Sequence, residues 1–430
     1  MSAPLTIAVA GLGTVGAGLL RLLREQADVL ARRAGRPLQV VAVSARNRST
    51  DRGVDLSGVA WFDDAVAMAR TAPAEVVVEL IGGEDGPAKA VVETAIGAGR
   101  HVVTANKAML AAHGTALARA AEAAGTALHF EAAVAGGIPI VKALREGLAG
   151  NRVSRLYGIL NGTCNYILTT MRETGRPFAD ILADAQKMGY AEADPRMDID
   201  GIDAAQKLAL LASLAFGSEV DPGGVHTEGI RAITPLDIAY ADELGYRIKL
   251  LGNARLTERG LEQRVHPCMV AADAAIAHVD GVFNAVVASG DFVDDTMYEG
   301  RGAGAGPTAS AVCADIVDIA RGRRTPAFGI PAAELVRLPR APMEHHVGAC
   351  YVRLTVRDRP GVLADVAAAF RDEAVSIEAL LQRARSPHEA VPVVLTTHEC
   401  EEGAMQRALA RIAALGTVVE PPMMIRIEPL

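Results

Sequence analysis

At 430 residues the chain is too long for one hydrophobic core, and two to four domains are expected. A net charge of -8 and a pI near 5.7 exclude nucleic acid or an anionic membrane surface as the main partner. Half the residues are apolar and only 4% are aromatic, the texture of α/β proteins built on parallel sheets. Five scattered cysteines with no CxxC pair read as reduced thiols of a cytoplasmic protein. The uncharged stretch 5–20 has no cationic residue before it and is interrupted by four glycines. It is therefore not read as a signal peptide, and no other segment is apolar enough to span a membrane.

In chain order, Thr6–Ala10 predicts a strand, followed by a Gly-rich turn and a helix over Val15–Leu30. Leu38–Ser44, Val76–Ile81 and His101–Thr104 predict further strands separated by Ala-rich helices, which implies βαβ units and a parallel sheet. Beyond Glu131 come Gly-rich turns, strand-like runs at Leu261–Val270 and Phe283–Ser289, and a glycine-dense loop at 300–306 before a helix at Thr308–Ile319. Residues 321–348 are rich in Arg and Pro and read as a linker. The tail then predicts a βαββαβ unit: strands at Tyr351–Val356, Val375–Leu381, Val391–Thr397 and Thr417–Ile427, with helices at Gly361–Arg371 and Ala404–Ala414.

The turn Gly11-Leu12-Gly13-Thr14-Val15-Gly16 sits between a strand and a helix. Its glycines suit a tight turn, close approach of a pyrophosphate, and close helix–strand packing, so a dinucleotide is expected there. After the second strand, where an NAD site usually places an acid, the chain reads Ser44-Ala45-Arg46-Asn47-Arg48. Either arginine suits a 2′-phosphate, so NADP is expected, with NAD still open.

Asp203 and Lys207 are spaced i, i+4 and share a helix face, with Glu192, Asp194, Asp198 and Asp200 on the loop before them. Carboxylates around a lysine suit an ammonium ligand and proton transfer at a carbonyl oxygen. On composition alone, a solvated acidic loop beside a surface ion pair is the preferred reading. Cys164 has no identifiable histidine partner and reads as a small packing residue, not a nucleophile. His345-His346 reads as a linker pair without metal-ligand company.

The stretch 185–207 resembles the signature of homoserine dehydrogenases at Ala185, Gly189, Asp194, Pro195, Asp198, Gly201, Asp203 and Lys207. GLGTVG at 11–16, Thr104-Ala-Asn-Lys107, the runs Glu131–Pro139 and Gly158–Tyr166, and GRGAGAGPTA at 300–309 are similar to the same family in the same order. Residues 357–363, with Asp358, Pro360 and Gly361, resemble the strand-to-helix turn of ACT domains. The resemblance implies an α/β chain with a Rossmann NAD(P)-binding domain at 1–130. A substrate-binding, catalytic and dimerisation domain follows at 131–325, returning partly to the cofactor domain near 300–320. A linker at 326–348 leads to an ACT-like regulatory domain at 349–430.

It implies reversible reduction of L-aspartate 4-semialdehyde to L-homoserine, with Lys207 passing the proton and Asp203 beside it. Glu192 and Asp198 would hold the substrate ammonium, and Lys107 would stand where substrate meets cofactor. Gly189 and Gly304 would touch the cofactor. Glu131 and the carbonyls of Val134, Gly136 and Ile138 would bind a monovalent cation such as sodium or potassium. Threonine is the expected effector at the ACT turn, and a homodimer or homotetramer the expected assembly. A chain cut after about Arg340 is expected to stay active and lose its response to threonine. Two rivals remain: a Rossmann dehydrogenase for another aldehyde or amino acid, which would need a different constellation at 185–207, and an inactive amino-acid sensor, against which Lys107, Glu192, Asp203 and Lys207 all stand.

Overall fold

The structure is a computed structural model describing residues 3–383 and 389–430. Short β-branched runs form the first sheet: β1 (Leu5–Ala10), β2 (Leu38–Ser44), β3 (Ala60–Phe62), β4 (Val76–Glu79), β5 (His101–Thr104) and β6 (Leu128–His129). All neighbours are parallel, in the order β3-β2-β1-β4-β5-β6. The order reverses between β1 and β4, so a crevice opens beyond their carboxyl ends, the place where doubly wound sheets bind ligands. The helix expected over Val15–Leu30 is two helices, Thr14–Glu25 and Ala27–Ala34, because the backbone leaves helical geometry at Gln26. Helix Ala305–Ala320 packs on helix Thr14–Glu25, where Gly18 allows close approach to the Ala305 carbonyl, and shares the apolar core under β1.

The second sheet runs β12-β11-β7-β9-β10-β17-β13-β15-β14. Its strands are β7 (Val153–Ile159), β9 (Tyr246–Thr257), β10 (Gly260–Ala271), β11 (Phe283–Gly290), β12 (Asp294–Arg301), β13 (Val347–Arg357), β14 (Ile377–Leu381), β15 (Ala390–Thr397) and β17 (Met423–Glu428). Two short strands lie off that path: β8 (Val225–Thr227) on β10 and β16 (Cys400–Glu401) on β13. β7, β9 and β12 carry no clear signal in the sequence. β9 contains Gly252, whose Cβ would lie 2.9 Å from Leu160 Cδ1, and β12 is a polar, largely solvated edge.

The tail folds as expected, in a βαββαβ order with helices Val362–Asp372 and Glu402–Ala413. It is not a bead on a string. β17 pairs in parallel with β10 through Cys268–Arg426, Met269–Ile427 and Val270–Glu428, so one sheet runs through both units. Alternation along β13 divides its residues between two partners. Val352, Leu354 and Val356 pack under the tail's own helices, while Tyr351, with Val394 and Ile425, joins the large central core. Arg353 on the same face binds Asp237 at the start of helix Pro235–Glu243, at 2.6 and 3.2 Å.

Residues 326–348 are irregular, as the sequence suggests, but firmly packed. Phe328 is buried with its ring 5.2 Å from Phe130, Val336 bridges to Ser218, and Arg340 binds Asp221 at 2.6 and 2.7 Å. His346 is buried with Nδ1 3.4 Å from Glu262, which corrects its reading as a linker histidine. A chain cut near Arg340 keeps the contacts of Phe328, Val336 and Arg340 and loses that of His346.

Candidate active site

The glycine turn at the end of β1 shows why Gly11 and Gly16 are needed. A Cβ on Gly11, whose φ is +101°, would lie 2.5 Å from the Leu80 carbonyl oxygen; one on Gly16 would lie 2.1 Å from that of Gly11. A Cβ on Gly13 would meet nothing within 4 Å, so the turn faces open space. Gly13 begins helix Thr14–Glu25 without a side-chain cap, which leaves its first amides free for an anion. Leu12 is buried, whereas Thr14 is exposed and Val15 lines the cavity beyond. This geometry fits a pyrophosphate.

Arg46 and Arg48 stand exposed after β2, and among the described residues neither forms an ion pair. The last residue of β2, Ser44, carries no acid. Arg52, which the sequence reading passed over, crosses this region. Its Nε donates to the Leu12 carbonyl at 3.0 Å, and its guanidinium lies 5.5 Å from the Trp61 ring centre.

From this turn a cavity of about 700 Å³ runs between the two sheets. It gathers Lys107, Gly136, Gly189, Glu192, Asp198, Asp203, Lys207 and Gly304 from segments scattered across two hundred residues. Lys107 is the first residue of helix Lys107–Ala123, which is capped by Asn106: its Oδ1 accepts from Met109 N at 3.1 Å. Asn106 Nδ2 also donates to the Gly83 carbonyl at 2.7 Å. Buried Glu79 accepts from Thr104 at 2.6 Å and from the amides of Ile81 and Gly82. The chain on either side of Lys107 is thereby held, and Nζ reaches Asp203 Oδ1 at 3.0 Å.

Asp203 stands in the first turn of helix Ile202–Phe216, and one turn later Lys207 Nζ meets its Oδ2 at 2.8 Å. Lys207 also donates to the Leu160 carbonyl at 2.7 Å. Burial opposes ionisation of Asp203, but the two lysines and Asn161 outweigh it and hold the carboxyl well below its usual range. The negative charge of Asp203 raises the Lys107 ammonium above its ordinary value. Asp198 is pushed the other way, upward, by burial and by the nearby Asp203 charge.

Asn161 ties the acids together. Its Nδ2 donates to Asp198 Oδ1 at 2.7 Å and Asp203 Oδ2 at 2.8 Å, while its Oδ1 caps helix Gly162–Thr174. Sequence reasoning quoted its motif without assigning it a role; an Asn before Gly-Thr at a helix start was the available signal. Asn284 was also missed. It is buried on the cavity wall, and both its amide atoms lack a partner among the described residues.

Two other acids of this stretch are not brought in. Asp194 pairs with Arg196 and Asp200 with Arg231 on the outer surface. Glu192 is exposed at the cavity mouth. Cys164 is fully buried and its thiol donates to the Asp198 carbonyl at 3.2 Å. Burial and the surrounding acids push that thiol far up, so it behaves as a packing residue.

Glu131 lies outside the cavity. Its oxygens accept from the Val141 and Lys142 amides at 2.9 Å each, and burial, reinforced by Asp315, pushes its carboxyl up to about 7. Ala135 and Gly136 are both left-handed, and the carbonyls of Val134 and Gly136 accept no hydrogen bond among the described residues. The Ile138 carbonyl accepts from Ile140 N. A buried carboxylate and the carbonyls of Val134 and Gly136 are oxygen donors of the kind a hard monovalent cation takes.

Known proteins resemble this chain over nearly its whole length. The profile of the family described as homoserine dehydrogenase matches residues 139–317, its NAD-binding domain matches 11–131, and an ACT domain matches 351–417. A homoserine dehydrogenase of Pseudomonas aeruginosa is 46% identical over 99% of both chains. A solved homoserine dehydrogenase from Thiobacillus denitrificans superposes with a TM-score of 0.93 at 46% identity, covering 99% of this chain and 98% of that one. A hyperthermophilic archaeal homoserine dehydrogenase, solved in complex with NADPH, matches with a TM-score of 0.62 at 26% identity. It covers 73% of this chain and 97% of that one.

Proposed function

Because the chain belongs to the homoserine dehydrogenase family, we propose that its cavity residues divide the family reaction among them. That reaction is the reversible, NAD(P)-dependent interconversion of L-homoserine and L-aspartate 4-semialdehyde, a step toward threonine, methionine and isoleucine. A nicotinamide dinucleotide, when bound, supplies the hydride chemistry. Gly11 to Gly16 would hold its pyrophosphate, Gly189 and Gly304 would border it, and Arg46 and Arg48 would favour a 2′-phosphate, hence NADP over NAD.

The observation that carries the reading is Asp203 clasped between two lysines on the cavity wall. An ammonium has three N–H donors, and Lys207 uses two, on Asp203 and Leu160. The third is left for the substrate oxygen. Lys207 gives that oxygen its proton during reduction and takes it back during oxidation, while Asp203 fixes its position. Lys107, charged and anchored, polarises the same oxygen from the cofactor side. Glu192 and Asp198 hold the substrate ammonium. Lys107, Lys207 and Arg301 face Glu192, Asp198 and Asp203, and this equal count suits a zwitterionic amino acid.

The cation at Glu131, Val134, Gly136 and Ile138 would fix the strained turn whose Gly136 borders the cavity. Threonine is our candidate effector, at a cavity of about 220 Å³ bounded by Asp358, Arg359, Gly361 and Gln382. The open edges β12 and β14 support a homodimer or homotetramer, and five free cysteines support the cytoplasm. No helix among the described residues is long and apolar enough to cross a membrane.

Initial-rate oxidation of L-homoserine with NADP and then NAD, with and without millimolar threonine, tests the reading. Turnover favouring NADP and slowed by threonine is expected. Turnover on another alcohol only would overturn it.

A further inference from the structure

The active-site acids are supported from a side of the molecule that the reaction itself does not use. Asp198 and Asp203 flank a tight bend whose hinge is Gly201, with φ +82°. Behind that bend lies a strap, residues 225–231, formed by β8 and the turn after it. A Cβ on Gly201 would lie 3.1–3.3 Å from Thr227, Val265 and the Glu228 carbonyl. A Cβ on Gly229 would lie 2.2 Å from the Ile199 carbonyl oxygen and 2.6 Å from Asp200 Cα. Strap and bend are also bonded: Ile230 N donates to the Ile199 carbonyl at 2.9 Å, and Arg231 grips Asp200 with two bonds.

The other end of the strap is held by the tail. Arg426 of β17, 2% exposed by side chain, donates through both terminal nitrogens to Glu228, at 2.8 and 3.0 Å. The same guanidinium is fixed by Glu402, at 2.6 and 2.9 Å, and His226 adds a contact to Glu228 at 2.7 Å. A bidentate guanidinium–carboxylate pair fixes direction as well as distance. The segment between Glu228 and the bend is three residues long and jammed against backbone, so it has little freedom to absorb a shift.

We infer that Arg426 and Glu228 are positioning residues for homoserine binding: the last strand of the ACT domain sets, through the strap 225–231, where Asp198 and Asp203 stand in the cavity. This rests on the reading of those acids as substrate-binding groups. It also gives the regulatory domain a direct mechanical route to the site, since any effector that shifts β17 moves the same pair.

The test is steady-state oxidation of L-homoserine by the full-length enzyme and by Glu228→Gln, Arg426→Met and the double variant. Each should raise the KM for homoserine three- to thirtyfold while the KM for the dinucleotide stays within twofold. The double variant should be no worse than the worse single one, because both cut one linkage. Arg231→Met, on the exposed arm, should shift the homoserine KM in the same direction by less. If Arg426→Met does not fold, Glu228→Gln and Arg231→Met decide the matter. A merely structural role would lower the melting temperature and the active fraction without separating the two KM values. An unchanged homoserine KM, an equal rise in both, or additive losses would overturn the inference. Wild-type enzyme inactive on homoserine would overturn the reading of the cavity; active wild type with unmoved KM values overturns only the positioning role.

Discussion

Two clusters of charge lie close together in this molecule, and they do different things. At the sheet junction, Arg155, Arg255, Arg264 and Arg426 meet Glu228, Glu262, Glu402 and Glu428, four of each sign. His266 at its centre accepts from Arg264, and burial and the arginines hold it neutral. Every charge there is answered by protein. His266, Cys268 and Glu428 could converge on a metal ion, but Arg264 and Arg426 beside them oppose any cation. Around Asp203 the charges instead face a cavity, and donors are left over: the third N–H of Lys207, the spare N–H groups of Lys107, and the amide of Asn284. The lesson is that bonding capacity left unfilled, and not charge density, separates a site from a structural ion network.

Removing the tail should break the closed cluster with the largest effect. Truncation after Arg340 deletes Glu402, Arg426 and Glu428, which takes the Glu428 carboxylate from both Arg155 and Arg264 and uncovers the edge of β10 that β17 pairs with. Each broken buried pair costs about 3–5 kcal/mol, and two such losses approach the ~5–15 kcal/mol that stabilises a whole domain. The truncated chain should be insoluble or unfolded by circular dichroism; a soluble, active fragment would show that the junction contributes little.

The open cluster should respond in rate instead of stability. Lys207→Ala should cut kcat by roughly 10²–10⁴-fold, the usual contribution of a positioned proton donor. Dinucleotide binding, followed by fluorescence titration, should stay unchanged, because no phosphate contact is lost. Near-normal turnover would remove Lys207 from the mechanism. Glu192→Gln should be milder and confined to substrate. Losing one charged hydrogen bond to an ammonium costs about 1.5–3 kcal/mol, a roughly ten- to hundredfold rise in the homoserine KM. An unchanged value would make Glu192 a solvated bystander at the cavity mouth.

What the sequence showed and what it hid divide along the same line of local against distant contacts. The glycine turn was legible because Gly11 and Gly16 answer to atoms within a few residues or on the next strand, and spacing alone records that need. Asp203 and Lys207 were legible because a helix puts i and i+4 side by side. Asn161 as the bracket of two acids was not, since Asp198 lies 37 residues away and Asp203 lies 42. The long strand β9 was hidden by its central glycine, and the packing of Phe328 on Phe130 by nearly two hundred intervening residues. Arg426 looked like one more charged residue in a final strand. Its meaning depends on Glu228, which only the folded sheet brings to it.

The smallest expected effect concerns the arginines after β2, which belong to neither cluster. Arg46 and Arg48 are exposed and unpaired among the described residues, beside a strand end without an acid. A 2′-phosphate carries about two negative charges and would meet them in water, where screening keeps each contact modest. Replacing both by alanine should raise the KM for NADP by roughly three- to tenfold, about 0.7–1.4 kcal/mol, and leave the KM for NAD within twofold. The loss should shrink as salt rises from about 0.05 to 0.5 M, because the Debye length falls below the reach of an exposed side chain. Arg52 gives the control. Its guanidinium is spent on the Leu12 and Asn47 carbonyls and on Trp61, so Arg52→Ala should loosen the turn and weaken both cofactors alike. If the double variant instead weakens NAD and NADP equally, the two arginines shape the loop and do not read the phosphate, and cofactor choice must then rest on Arg52 or on Ser44.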